Sequence, residues 1–490
     1  MYRSGHASYK SDIPARRQRR YPWGIVFGQQ LTTRPTRLNY LPLETRKQPI
    51  DVFASIRNRS ETCFILESVE GPRRLTRYTF LGFYPQKIIR ASKNQAEILD
   101  RQRSERRIEK CQDPLTLLAN LNSPVKERNP GERYAGGLVG YASYDLVRSF
   151  ERIPRLGNKG NGFPDVEFGL FEDGIVFDHL SGKTHYFYRE ENRIEKAKEL
   201  LGDSAGSDQV SFGKPKSNVS QEDFCERVGE AKDYIESGDI FQVVLSKRYK
   251  IPFKGSLLRF YRALRRINPS PYMYYLKFGD REIVGSSPEM LARKIGRNAE
   301  SFPIAGTRPF TGDSARNKAL AAELLQDEKE QAEHVMLVDL ARNDLGRVCD
   351  YGTVKVPEFM RVQGYSHVQH IVSRVTGQLR KNATSFDLFR AVFPAGTVSG
   401  APKVRAMEII EELETTARGP YAGAVGYFSA NGSADFAITI RTLCAQDGYC
   451  YLQSGAGIVA DSVPDREWIE SERKTAALFT AMDQAQEEYP

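Results

Sequence analysis

Between residues 41 and 200 the apolar positions fall in short runs broken by turn-forming residues: F-I-L-E-S at 64–68, Y-T-F-L-G-F-Y-P at 78–85, A-G-G-L-V-G-Y-A-S-Y-D at 135–145 and V-E-F-G-L-F-E-D-G-I-V-F-D-H at 166–179. This is the pattern of antiparallel strands, and Asp173-Gly174 reads as a hairpin turn. From Ser220 the period changes: Phe224, Val228, Ala231 and Ile235 make the stripe of a helix capped by Ser220 with Asp223 and stopped at Gly238-Asp239. Residues 240–249 then return to period two, with Phe241, Val243 and Leu245 on one face and Gln242, Val244 and Ser246 on the other. After Pro420 a three-stranded meander is predicted, turning at Asn431-Gly432 and Asp447-Gly448. In its middle strand Phe436, Ile438 and Ile440 share the core face, so Asp435, Thr439 and Arg441 point the other way. Strands, helices and further strands without regular alternation predict an α+β fold of antiparallel β-sheets packed with helices. The expected organisation is a basic, disordered tail at 1–40, a β-rich region at 41–201, a polar Gly/Ser-containing linker at 202–217 and a second domain at 218–483.

Two predicted helices carry acid in a repeated arrangement. In Q-D-E-K-E-Q-A-E-H-V-M-L-V-D-L-A-R-N-D-L-G-R at 326–347, the spacing of Val335, Leu337, Leu340 and Ala341 marks a helix with Glu330 and Glu333 on one face beside His334. A second helix, opened by Pro464 and Asp465, puts Glu467, Glu470 and Lys474 at i, i+3 and i+7. Like charges about 4 Å apart repel by roughly 4 kcal/mol at an intermediate dielectric, so facing glutamates need a cation between them. Mg²⁺, which takes one or two carboxylates and keeps waters and an anionic substrate, would serve. Taken separately, both stretches also read as solvated helix faces, with Glu470 and Lys474 a surface pair.

Charge changes this picture little. The net charge of the 490 residues is +9, but residues 1–40 hold eight Lys/Arg against the single Asp12, and the remainder is close to neutral. The Arg16-Arg17-Gln18-Arg19-Arg20 cluster leaves open a nucleic-acid-binding start or an organelle-targeting segment. The six cysteines show no C-x-x-C spacing, which fits free thiols in a reducing cytoplasm. No apolar run reaches the roughly 18 residues needed to span a bilayer, so a cytoplasmic protein without a membrane partner is expected.

Several loops are richer in small residues than packing requires. Gly306 and Thr307 in P-I-A-G-T-R-P, Thr397 and Lys403 in F-P-A-G-T-V-S-G-A-P-K, and S-G-A-G-I at 454–458 offer backbone N–H groups and hydroxyls suited to a carboxylate. His370 lies in a predicted strand between Val368 and Ile371 and reads first as a core histidine. In order along the chain, G-D-I-F-Q-V-V-L-S, N-P-S-P-Y-M, G-S-S-P-E, P-I-A-G-T-R, E-x-x-E-H-x-M-L-V-D-L-A-R-N-D-L, S-H-V-Q-H, F-P-A-G-T-V-S-G-A-P-K, I-R-T, G-A-G-I-V-A-D-S and E-W-I-E make residues from about Ser220 to Met482 resemble the chorismate-utilising enzymes.

The resemblance implies that Glu333 and Glu470 hold Mg²⁺, with Glu330 and Glu467 as outer or alternate ligands. It implies that chorismate is bound by Gly306, Thr307, Thr397, Tyr421, Arg441 and the backbone of Gly455, Ala456 and Gly457, with Lys474 adding positive charge. A dicarboxylate leaving water needs such donors. Relatives that add water carry a lysine base at the position of Gln242, and relatives that aminate at the para position, the runner-up activity, typically carry a lysine at that of Ala305. An amide cannot deprotonate water at neutral pH and a methyl group forms no adduct, so the resemblance implies ortho amination by ammonia, then loss of pyruvate to give anthranilate. Glu289 is assigned the general acid for the departing ring hydroxyl, and His370 assists the elimination with Glu330 as a partner in proton transfer. The amino-terminal half resembles the family's regulatory sheet, with Ser68, Pro271, Tyr272 and Met273 matching its tryptophan feedback site. No stretch resembles a glutamine amidotransferase, so use of glutamine implies a separate small subunit in a heterotetramer.

Overall fold

Neighbouring residues of a strand point to opposite faces, so each apolar run serves two cores at once. The computed structural model describes residues 36–70, 77–126, 133–156, 160, 162–202, 208–365 and 368–487. Residues 1–35 of the expected tail, 203–207 of the expected linker, and Ser366 and His367 lie outside the described residues. Two large sheets, of 12 and 13 strands among the described residues, are antiparallel throughout and face each other. Phe64, Tyr274 and Leu276 from one sheet meet Val139, Tyr141, Val425, Tyr427 and Ala437 from the other in the sandwich core. Their neighbours Cys63, Ile65, Met273 and Tyr275 point outward instead, under the helices Pro49–Arg59, Leu258–Ile267 and Pro464–Gln486. Leu138, Ala142, Ala424 and Phe428 likewise lie under the helices Pro114–Leu121, Glu328–Gly346, Ser385–Val392 and Lys403–Leu413. The result is helix, sheet, sheet, helix, an α+β architecture.

The two halves of the sequence do not form separate layers. Strand Gly137–Ala142 pairs with Ala424–Ser429, and Thr62–Glu67 pairs with Tyr272–Phe278, so both sheets mix early and late strands. The expected linker is partly sheet: Val210–Phe212 and Lys216–Ser217 pair with the long strand Gln242–Gly255. The tail, too, ends earlier than expected, since Thr36–Arg37 and Asn39–Pro42 are strands and the latter pairs with Lys183–Tyr188.

Two further differences concern turns. Asp173-Gly174 is not a hairpin: the chain runs from Val166–Phe171 in one sheet directly into Asp173–Asp178 in the other. Asp173 is buried and accepts from Tyr186 Oη at 2.7 Å and Arg193 Nε at 2.9 Å, so its carboxylate is occupied in the core rather than by a solvated turn. The predicted middle strand of the meander is also two strands, Ala434–Ile438 and Thr442–Gln446, in different sheets. The turns at Asn431-Gly432 and Asp447-Gly448 are present. In the helix Glu328–Gly346 the inward residues are His334, Leu337, Val338 and Leu345, while Val335, expected in the stripe, is exposed. Ser220 caps the helix Gln221–Glu236, its hydroxyl accepting from Asp223 N–H at 3.1 Å.

Candidate active site

A chain that crosses from one sheet to the other must leave its strand at the edge of the sandwich, where side chains are free to point into a cleft. Two such crossings lie side by side. One is at residues 288–289, between Arg281–Ser287 and Met290–Ile295, and the other at 439–441. They are tied together by Ile438 N–H donating to Glu289 O at 3.0 Å and Ser286 N–H donating to Arg441 O at 3.1 Å. Arg441 makes its turn at φ 51°, and no side-chain partner engages its guanidinium among the described residues. Burial alone lowers its basicity, so it is a cation in need of an anion.

Glu289 is 8% exposed and faces a narrow cavity lined also by Leu337, Leu340, Thr397 and Ile438. Loss of solvent pushes its carboxyl up to about 7, against smaller downward pulls from the Thr397 hydroxyl and the Lys474 ammonium. The Thr397 hydroxyl lies close enough to influence Glu289 yet is a buried oxygen without a geometrically satisfied partner. A larger crevice beside Asp339, Arg342 and Tyr351 collects none of the expected site residues.

On the first sheet, strand Ile304–Pro309 pairs with Val368–Gln378 and brings Gly306 and Thr307 against His370. His370 Nδ1 lies 2.7 Å from Gly306 O and 3.1 Å from Thr307 Oγ1. A carbonyl can only accept, which assigns the proton to Nδ1 and leaves the Nε2 lone pair available. Burial lowers the imidazole's pKa, the bond to Gly306 O opposes it in part and Arg441 adds to it, so the neutral ring is favoured at pH 7. Gly306 adopts φ +65°, and a Cβ there would sit 3.1 Å from Glu330 Oε2 and 2.8 Å from Leu324, so only glycine lets the strand approach the helix this closely.

The helix Glu328–Gly346, capped by Asp327, supplies Glu330 and Glu333, and Pro464–Gln486 supplies Glu467, Glu470 and Lys474. Glu333 is pushed above the usual carboxylate range by burial, then by Glu330 and Glu470; Glu467 is raised by burial and by Glu470. The four carboxylates thus converge and repel. Arg308 reaches Glu330 at 3.5 Å, and Lys474 contacts Glu470 at 2.7 Å and donates to Gly455 O at 2.9 Å. The surface-pair reading of Glu470 and Lys474 is therefore half right, since the pair forms but also anchors the glycine strand. Among the described residues no three acidic, His or Cys side chains are already drawn in to ligating distance. An all-oxygen donor set of mutually repelling carboxylates nevertheless fits Mg²⁺, which needs only one or two of them and fills its octahedron with water and substrate.

Across the cleft Gln242 is 3% exposed, with Nε2 3.4 Å from Glu333 Oε1 and Oε1 buried without a partner. Its strand pairs Val244 with Gly457, Leu245 with Ala456 and Ser246 with Gly455. A Cβ on Gly457 would stand 2.6 Å from Gln242 Nε2, and one on Gly455 would stand 3.0 Å from Tyr421 Oη. Contacts and charge effects thus connect the residues expected at the catalytic end to one another, and of these Glu289 and Thr397 line the narrow cavity. Lys403, from a loop read as ligand-facing, instead pairs with Asp344 at 2.7 Å and donates to Val392 O. Sequence reasoning missed Arg308 and Arg418; the only available signal was a lone arginine beside a Gly or Pro, in G-T-R-P and A-R-G-P-Y.

Residues 61–480 match the family described as chorismate binding enzyme. The chain belongs to that family. Anthranilate synthase component 1 of Methanothermobacter thermautotrophicus is 49% identical over 440 residues, covering 90% of this chain and 93% of the relative. That of Acetivibrio thermocellus is 46% identical over 473 residues, covering 91% and 94%. Among solved structures, anthranilate synthase component I from Streptococcus pneumoniae superposes with a TM-score of 0.73 at 35% identity, covering 84% of this chain and 93% of that one. The candidate site of this family member thus has its carboxylates on two helices and its arginine in the crossing between the two sheets.

Proposed function

We propose that the chain is the large subunit of an anthranilate synthase, which joins chorismate with ammonia and releases anthranilate and pyruvate. The observation that carries this reading is Gln242, a buried amide in contact with Glu333 where water-adding relatives carry a lysine. Ala305, 8% exposed, similarly offers no amine for para amination. The ring carboxylate is matched by the unpaired Arg441 and the Thr307 and Thr397 hydroxyls.

Glu289, protonated near neutral pH, gives its proton to the ring hydroxyl, which leaves as water while ammonia's nitrogen bonds to the ring carbon beside the carboxylate-bearing one. The extra proton on that nitrogen returns to Glu289. His370 Nε2 then takes the proton from the aminated carbon as the enolpyruvyl C–O bond breaks, giving the aromatic amine and, after protonation, pyruvate. Glu333 and Glu470 would hold Mg²⁺, with Glu330 and Glu467 beside them; when bound it supplies positive charge against the ring carboxylate.

The same reading assigns ammonia supply to a separate amidotransferase subunit and feedback control to tryptophan. Ser68 is supported as a ligand-facing residue by its buried hydroxyl, which has no partner. It adjoins Pro271, Tyr272 and Met273 through the Glu67–Met273 pairing and Val69 N–H donating to Ser270 O at 3.3 Å. A feedback coupling of about 1–3 kcal/mol is expected of such a site.

The test is anthranilate fluorescence from purified chain with chorismate, ammonium and Mg²⁺, repeated with EDTA and with glutamine alone. Activity with ammonium and Mg²⁺ only is expected. Absence of anthranilate, or appearance of isochorismate or aminodeoxychorismate instead, overturns the assignment.

A further inference from the structure

We propose that Arg418 is a positioning residue for the reaction, a buried clasp that fixes three chorismate-facing elements at once; this rests on the reading that Thr397, Gln242 and Tyr421 face chorismate. Its side chain is 2% exposed. Nη1 donates to Val398 O at 2.7 Å, the carbonyl next to Thr397. Nη2 donates to Val244 O at 2.6 Å, two residues beyond Gln242 on the same strand. The guanidinium carbon lies 5.7 Å from the Tyr421 ring centroid and 4.8 Å from that of Tyr144, so the cation also sets the face of the tyrosine ring.

Glu414 completes the clasp from behind. It receives Arg418 Nε at 2.9 Å and Nη2 at 2.7 Å, and its Oε1 also accepts Ser246 N–H at 2.8 Å and Ser246 Oγ at 2.7 Å. The carboxylate therefore neutralises the arginine and grips the Gln242 strand at Ser246, four residues from Gln242, while its hydrogen bonds reach neither the Thr397 turn nor the Tyr421 hydroxyl. The division of labour is testable: Glu414 supports stability, whereas the planar fork of Arg418 adds to the backbone bond from Val244 N–H to Ser399 O, at 2.9 Å, in holding the turn against the strand. Lysine keeps the charge but its three N–H donors radiate from one nitrogen, so it does not reproduce the planar fork that engages both carbonyls and Glu414 together.

The experiment compares Arg418→Lys with Glu414→Gln by chorismate kinetics, thermal melting and circular dichroism. Arg418→Lys is expected to remain folded and to lose about a hundredfold in kcat/KM, mostly as a higher chorismate KM, the penalty typical of a misplaced binding group. Glu414→Gln is expected to melt lower while its chorismate KM stays within about threefold of the parent's, because the two carbonyl bonds survive. If Arg418→Lys does not fold, the neutral pair Arg418→Gln with Glu414→Gln replaces it under the same KM criterion. An unchanged KM in the arginine variant, or an equal rise in both single variants, reduces Arg418 to a structural residue and overturns the proposal. Thr397→Val and Tyr421→Phe separate the two layers of the argument. If neither raises KM, the site reading fails; if they do and the arginine variant does not, the clasp alone fails.

Discussion

Glu289→Gln should make the protein slower and, at high pH, more stable. The ordinary carboxyl value of 4.5 is pushed to about 7 by burial at the sheet crossing, with Thr397 and Lys474 recovering only part of the shift. At about 1.4 kcal/mol for each pH unit, keeping this side chain ionised in the fold costs ~3 kcal/mol. The folded state holds the proton more tightly than the unfolded chain, so the contribution is fully favourable below about 4.5 and is lost as pH rises through about 7. Glutamine has nearly the same shape and no charge to bury. Urea unfolding at pH 5 should therefore show little difference between the two chains, while at pH 9 the variant should exceed the parent by up to ~3 kcal/mol. Its kcat for anthranilate formation should fall by about 10²–10⁴, the usual worth of a positioned acid, and the parent's activity should decline as pH passes about 7. A variant that keeps the parent's kcat, or one that is less stable than the parent at pH 9, refutes the account of Glu289.

Arg441→Gln should raise the ligand-free protein's melting temperature, since an unpaired desolvated charge is removed and no ion pair is broken, yet lower kcat/KM for chorismate by roughly 10²–10³; equal losses of stability and activity would argue for a structural arginine. Gly457→Ala puts a methyl group 2.6 Å from Gln242 Nε2, so the amide must leave Glu333 and initial rates should drop about tenfold or more, with only a small change in unfolding midpoint. Ser68→Phe fills the space in front of a buried, unpartnered hydroxyl and should abolish inhibition by tryptophan at unchanged kcat; a parent-like inhibition curve would remove Ser68 from the regulatory site.

The sequence alone determined what depends on neighbours a few residues away. The stripe of the helix Gln221–Glu236, the Ser220 cap and the Asn431-Gly432 and Asp447-Gly448 turns are local steric and hydrogen-bonding preferences and are present as expected, whereas Phe241 and Val335, expected on apolar faces, are exposed. Motif order named candidate site residues, because chemistry selects residue types and glycines that packing does not require. Only the tertiary structure decided where strands end and which sheet receives them. Asp173-Gly174 has the composition of a turn, but Asp173 is buried against Arg193 and Tyr186 at a crossing between the sheets. Ile438 through Thr442 has the alternation of one strand, but the two sheets divide it and turn Arg441 into the cleft. The same holds for Arg418, whose partners lie 20 and 174 positions away along the chain. Such contacts are set by loop closure and packing across the whole fold, and no window of sequence contains both ends of them.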